Sequence, residues 1–192
     1  MLEHSLRAVL YAEPKVRLSA LLHDVGKPFC FKRDGKYHYH AVEGEKIAEK
    51  VLKRLKVDKE TILNVKFLVK EHMLDLDGKM REEKVRKFLV KNSTSIGELF
   101  MVKEADYKAC LDSEDLPVTI VKWREILRKM KEDGTPFSLK ELNISSEDLI
   151  CLGFKGKEIG EELKMLFNQA VLNPKDNNRE RLLSLAKGHK KI

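Results

Sequence analysis

The stretch LSALLHDVGKP (residues 18–28) sets an imidazole and a carboxylate, His23 and Asp24, side by side in an apolar segment. Leu18, Leu21, Leu22 and Val25 read as the inward side of a short helix, with Gly26 and Pro28 as its stop signals. Burying such polar groups unpartnered is costly, so another side chain, a backbone group or a metal ion must satisfy them. Helical phase adds candidates. His72 falls four residues after Leu68 and three after Val69, and so shares their inward face. Asp106, four residues after Val102 and four before Cys110, points inward too. His4 aligns with Ala8 and Tyr11, and His40 precedes a helix beginning near Gly44, where a side chain can reach over the helix mouth. Taken singly, each has an ordinary reading as a hydrogen-bonded core histidine or a capping carboxylate. Together, imidazoles mixed with carboxylates suit a first-row divalent metal such as Mn, Fe, Co, Ni or Zn. The His23–Asp24 pair supplies two ligands from one point if the helices carrying His4 and Asp106 cross there.

The elements that must position these groups are helices. GEKIAEKVLKRL carries the stripe Ile47, Ala48, Val51, Leu52 and Leu55, and ETILNVKFLVKEHML repeats it with Ile62, Val65, Leu68, Val69 and Met73. REEKVRKFLVK, SIGELFMVKEADYKACL and LPVTIVKWREILRKM add three more helices. The one strand-like stretch is FCFKRDGKYHYH, where Asp34-Gly35 turns either a small hairpin or a plain loop between helices. KEDGTPFS (131–138) is the clearest break. Beyond it, Ile159, Leu163, Leu166, Phe167, Ala170 and Val171 form one stripe that Pro174 ends, and Asn177 or Asn178 caps a last short helix. The expected architecture is all-α, a helical bundle over 1–132 with a smaller helical extension over 133–192.

With 192 residues, 42% of them hydrophobic, the chain has material for one good-sized core. A net charge of +7 is consistent with an anionic partner such as RNA or a phosphorylated metabolite, although the signs are interspersed as on a solvated surface. Aromatics make up 7% and do not interleave with the basic runs KVLKRLK and KWREILRKMK, so stacking of single-stranded bases is not expected. The scattered Cys30, Cys110 and Cys151 have no zinc-ligand spacing and point to a reducing, cytoplasmic setting. No apolar run approaches the ~18 residues that span a bilayer, so no membrane partner is expected.

An early helical histidine, an HD doublet after an apolar run and a later aspartate in ADYKA resemble the HD superfamily of metal-dependent phosphohydrolases. In order, LEHSLRAVLYA, LSALLHDVGKP, HYHAVEGEKIAEKVLKRLK, VKEHM, EEKVRKFLV and EADYKAC resemble one branch, the HD region of bacterial tRNA nucleotidyltransferases and poly(A) polymerase relatives. The tail ELNISSEDLICLGFKGKEIGEELKMLFNQAVLNP is similar to the tRNA-facing segment of that branch. The resemblance implies an HD helical bundle in which His4, His23, Asp24 and Asp106 ligate a divalent ion, open among Mn, Fe, Co, Ni, Zn and Mg. It places His40 and His72 at a second metal or a substrate phosphate, and Lys27 where it neutralises a phosphate oxygen. Asp24 would both bind metal and orient the nucleophile.

The sequence departs from the branch in two places. Ser146 stands where the tail pattern usually has glycine, and the glycine loop and Asp-x-Asp pair of a nucleotidyltransferase head are not found. Asp75 and Asp77 in DLDG read as a turn. Nucleotide addition is therefore not expected of this chain by itself. The leading expectation is hydrolysis of a phosphomonoester, a nucleotide or a 2′,3′-cyclic phosphate. The alternatives are a non-catalytic tRNA- or RNA-binding body and a purely structural helical domain.

Overall fold

The 3.6-residue apolar period is realised as helix throughout the computed structural model, which describes residues 1–111 and 115–190. Helices α1 (Leu2–Tyr11), α2 (Arg17–Leu22), α3 (Lys27–Asp34), α4 (His40–Arg54), α5 (Lys59–Glu71) and α6 (Glu82–Lys91) come first. They are followed by α7 (Ile96–Leu111), α8 (Val118–Glu132), α9 (Ser146–Cys151), α10 (Lys157–Leu172) and α11 (Arg179–Lys190). No strand occurs among the described residues, and none of the helices is long and apolar enough to cross a membrane. The all-α architecture is the expected one.

The hairpin option for residues 29–40 is corrected. Pro28 lies in the first turn of α3, where its missing N–H costs nothing, so it starts a helix as well as closing the preceding turn. Gly35 ends α3 in the left-handed region (φ 66°), its N–H donating to the Phe31 carbonyl at 2.8 Å. Asp34-Gly35 is thus a helix C-cap rather than a hairpin turn. Leu21 is corrected as well: it is exposed, and α2 buries Ser19, Ala20 and Leu22 instead. The DLDG segment is a turn as expected, with Asp75 and Gly78 both at positive φ.

Packing groups the chain into two compact units, residues 1–79 with 94–122, and 80–93 with 123–192. In the first unit α4 and α5 pair along their length, α1 packs on α7, and α2 touches α1, α5 and α7. Leu22, Ala48, Leu52, Ile62, Val65 and Val69 form a buried cluster under these contacts. Gly26 lets α4 come close to the segment after α2. A Cβ there would stand 2.1 Å from the His40 carbonyl oxygen and 2.6 Å from the Gly44 nitrogen. Only a glycine accommodates that approach.

The second unit closes over Leu142, Ile144, Leu149, Phe154, Leu166, Ala170, Leu182 and Ala186. Two of its helices begin with side-chain caps. Ser145 and Asp148 form a capping box at α9, and the Asn178 side chain accepts from the Arg181 N–H at α11.

Candidate metal centre

Five helices of the first unit deliver six side chains to one place. His4 lies on α1, His40 is the first residue of α4, and Asp106 lies on α7. His23 directly follows α2, with Asp24 next to it, and His72 directly follows α5. His23, Asp24, His40 and His72 are buried, between 1% and 5% exposed.

Helix ends explain how the histidines are held. The last carbonyls of a helix have no partner within it. His23 Nδ1 lies 2.6 Å from the carbonyl of Ala20, and His72 Nδ1 lies 2.7 Å from that of Val69. His40, at the start of α4, has Nδ1 2.8 Å from the carbonyl of Tyr37 in the preceding loop. A carbonyl can only accept, so in each ring Nδ1 carries the proton and donates it to the residue three positions back. That leaves Nε2 of all three rings available as an electron-pair donor facing inward. Backbone bonds of this kind fix the tautomer and orientation of metal-ligating imidazoles.

The Nε2 atoms converge with the carboxylates. His4 Nε2 is 2.9 Å from Asp106 Oδ1 and 3.2 Å from His23 Nε2. His23 Nε2 is 3.3 Å from Asp106 Oδ1 and 3.4 Å from Asp24 Oδ2. The other Asp24 oxygen, Oδ1, faces His40 Nε2 at 3.2 Å and His72 Nε2 at 3.8 Å. His40 and His72 bring their Nε2 atoms within 3.4 Å of each other. Asp24 therefore stands between two donor sets, His4–His23–Asp24 on one side and Asp24–His40–His72 on the other. All six of these positions expected from the sequence meet in the structure.

The electrostatics of this cluster favour positive charge. Burial opposes ionisation of His23, but hydrogen bonds and charge from Asp106 and Asp24 outweigh it and raise the imidazole to about 10. Burial likewise opposes ionisation of Asp24, yet His23, His40 and Lys27 hold it well below the usual carboxylate range. Asp106 is lowered too, His23 overcoming burial. His72 moves the other way, down to about 3, through burial and then the positive charge on His23. Against these two carboxylates stand Lys27, whose Nζ donates to Asp24 Oδ2 at 2.5 Å, and Lys103, whose charge Asp106 favours. A proton on His23 adds to them, and a divalent cation fits the same donors. Mixed imidazole and carboxylate ligands with inward lone pairs are the donor set of first-row divalent ions.

Two residues of this neighbourhood escaped the sequence reading. Lys103, 4% exposed, caps the end of α5: its Nζ donates to the carbonyls of His72 (2.6 Å) and Leu74 (2.8 Å), and burial lowers it to about 8. Its position three residues before Asp106 gave the only signal. Cys110 places Sγ 3.8 Å from Asp106 Oδ1 and 4.0 Å from His4 Nδ1, completing a further donor group. The i, i+4 relation to Asp106 was visible, but without zinc-type spacing it was not read as a ligand. A cavity of about 430 Å³ opens beside the cluster. Asp24, Lys27, His72, Lys103 and Asp106 form its polar wall, with Met73, Leu76 and Tyr107 on the apolar side.

Comparison with known proteins agrees with this geometry. The HD domain family model matches residues 1–111. A CC-adding tRNA nucleotidyltransferase of Thermus thermophilus is 30% identical over 180 residues, covering 85% of this chain and 39% of that protein. An A-adding tRNA nucleotidyltransferase of Deinococcus radiodurans is 28% identical over 171 residues, covering 84% of this chain and 38% of that protein. The chain therefore spans about two fifths of the length of these curated relatives. No solved structure matches it. With a family match across the whole segment that builds the cluster, the chain belongs to the HD domain family, within the superfamily of metal-dependent phosphohydrolases.

Proposed function

We propose that the first unit hydrolyses a phosphate ester with a divalent ion held by His4, His23, Asp24 and Asp106. Asp24 bridges toward a second position made with His40 and His72. The observation that carries this reading is the convergence of inward Nε2 atoms, their protons fixed on the far side of each ring by backbone carbonyls, around the two oxygens of one buried carboxylate. When bound, the ion supplies Lewis-acid polarisation of the phosphoryl group and activation of water near neutral pH.

The chain's own residues supply the rest. Lys27, part-exposed beside Asp24 and lining the cavity, would pair with a phosphoryl oxygen and offset its developing charge. Lys103 holds the end of α5, and with it the backbone of His72, to α7 two positions from Ala105 and three from Asp106. The apolar side of the cavity, with Met73 and Tyr107, excludes water from one flank of the bound ester. The substrate is a phosphomonoester, a nucleotide or a 2′,3′-cyclic phosphodiester.

The full-length chain assayed on a generic phosphodiester with Mn, Co, Ni or Mg should turn over only with metal, and Asp24→Asn should remove that turnover. Equal rates with and without metal, or an Asp24→Asn rate equal to the wild type, would contradict the reading.

A second reading is a non-catalytic RNA-binding body. The net charge of +7 and the tRNA nucleotidyltransferases among the relatives favour it. Binding through phosphates weakens steeply as salt rises, so an affinity insensitive to salt would set it aside.

A further inference from the structure

The segment expected to be a hairpin or plain loop presents an exposed aromatic surface. Phe29, Phe31 and Tyr37 are about half exposed, and Tyr39 is 74% exposed. Phe31 and Tyr37 stack with ring centroids 5.4 Å apart and 24° between planes. Tyr39 is held at φ 64°, left-handed backbone that a bulky side chain rarely adopts. Strain of that kind persists where the surrounding fold imposes it, and it clusters at ligand clamps and active sites. At this position glycine would relieve the backbone and expose less apolar surface, so the ring contributes nothing to packing that its conformation requires.

Of these rings, Tyr37 and Tyr39 line an open groove of roughly 690 Å³, together with Lys27, Lys36, His38 and His40. It shares Lys27 and His40 with the centre. Lys27 Nζ and His40 Nε2 lie 2.5 and 3.2 Å from the two oxygens of Asp24. Basic and aromatic residues alternate here, in contrast to the basic helical runs, where aromatics are sparse. Stacking on such rings combined with cationic side chains along the backbone is how single-stranded nucleic acid is held without sequence preference. Two tyrosine rings line the groove, one more than a single base needs for stacking, which favours a strand over a free mononucleotide.

We infer that the Tyr37–Tyr39 groove binds the unpaired terminal nucleotides of a single-stranded RNA, stacking bases on its rings and leading the terminal phosphate to the Asp24 centre. This rests on the proposed phosphate-ester centre for the direction of the strand, but its test does not depend on turnover.

The test is fluorescence anisotropy of a labelled, 3′-phosphorylated single-stranded oligoribonucleotide with the full chain in excess chelator, so that no metal-dependent reaction enters. Tyr39→Gly removes the ring while relaxing the backbone, and Tyr39→Phe keeps the ring. The inference expects wild type and Tyr39→Phe to bind alike and Tyr39→Gly to bind about tenfold or more weakly, the loss expected of a missing base stack. Tyr39→Gly should melt at the same or a higher temperature, which separates lost binding from lost folding. A blunt duplex of equal length should compete poorly.

Wild-type affinity in Tyr39→Gly, equal competition by the duplex, or competition by a mononucleotide as strong as by the strand would overturn the inference, the last assigning the groove to a free nucleotide. If this binding pattern holds while no metal-dependent hydrolysis is seen, the hydrolase reading fails alone. If hydrolysis is seen and the pattern does not hold, the stacking inference fails alone.

Discussion

Both units bury charged side chains, and they do so in opposite ways. In the second unit the Arg86 guanidinium, 9% exposed, donates to Glu82 (2.9 Å), Asp133 (3.1 Å), the Thr135 hydroxyl (3.3 Å) and the Val171 carbonyl (3.4 Å). Every acceptor faces a donor, and the cation sits between two carboxylates. In the first unit, Nε2 of His40 faces Nε2 of His72 at 3.4 Å, and Nε2 of His4 faces Nε2 of His23 at 3.2 Å. Acceptor faces acceptor there unless a proton or a cation intervenes. A buried polar cluster complete in itself is architecture, whereas one that closes only around an added positive charge is a site.

The largest effect that sharpens this contrast is on the centre. Asp24→Asn should weaken metal binding and metal-dependent hydrolysis by more than the roughly 10- to 100-fold typical of outer-shell losses. Its stability in chelator should fall as well, because His23, His40 and Lys27 lose the carboxylate they face. Equilibrium dialysis and thermal melting in chelator check the two halves. Arg86→Met should lose stability alone, on the order of 2 kcal/mol with unchanged metal affinity, since its carboxylate partners are partly exposed and recover water when it goes. Urea titration and metal titration of that variant decide it. If both substitutions perturb metal binding equally, the comparison breaks.

Gly26→Ala tests the architecture beneath the centre. A Cβ there meets backbone atoms, which cannot swing aside as a side chain can, so α4 must shift and carry His40 away from Asp24. A destabilisation of about 1–3 kcal/mol, together with weaker metal binding, is expected. Denaturant unfolding and metal titration measure it. Adding metal at a hundred times its dissociation constant should stabilise the wild type by about 2.7 kcal/mol and leave Asp24→Asn unmoved, read as the melting shift between metal and chelator.

The smallest effect lies outside both clusters. Glu49 on α4 accepts from Lys53 and from Lys66 of α5, which lowers its carboxyl from 4.5 to about 2. A carboxyl depressed on folding stabilises above its unfolded pKa and loses that contribution as pH falls. Acidification from pH 4.5 toward 2 should therefore cost the wild type a small, salt-screened increment that Glu49→Gln does not show. Melting curves across that range, at low and high salt, read the difference.

Much of this was legible in the sequence, and the physical reason is periodicity. The stripes of α4, α5 and α10 set which face is buried, apart from Leu55 and Met73, which lie just past their helices and are exposed, and the same phase turns His72 and Asp106 inward. Where a residue's role depends on a helix end rather than a helix face, the pattern was silent. Asp34-Gly35 serves a hairpin turn and a helix C-cap equally well, and only the hydrogen bond back to Phe31 separates them. The fixing of His23, His40 and His72 through carbonyls three residues earlier depends on side-chain rotamers at helix termini, which composition does not encode. The strain at Tyr39 is a backbone angle, and no residue type announces it.

The central claim is that the His–Asp cluster of the first unit is a cation site. Inductively coupled plasma metal analysis of the full chain, dialysed against Mn, Co or Zn beside Asp24→Asn, tests it most directly. The account predicts that the wild type retains at least one equivalent of ion and the variant retains far less. Equal retention by both proteins, or none by either, would contradict it.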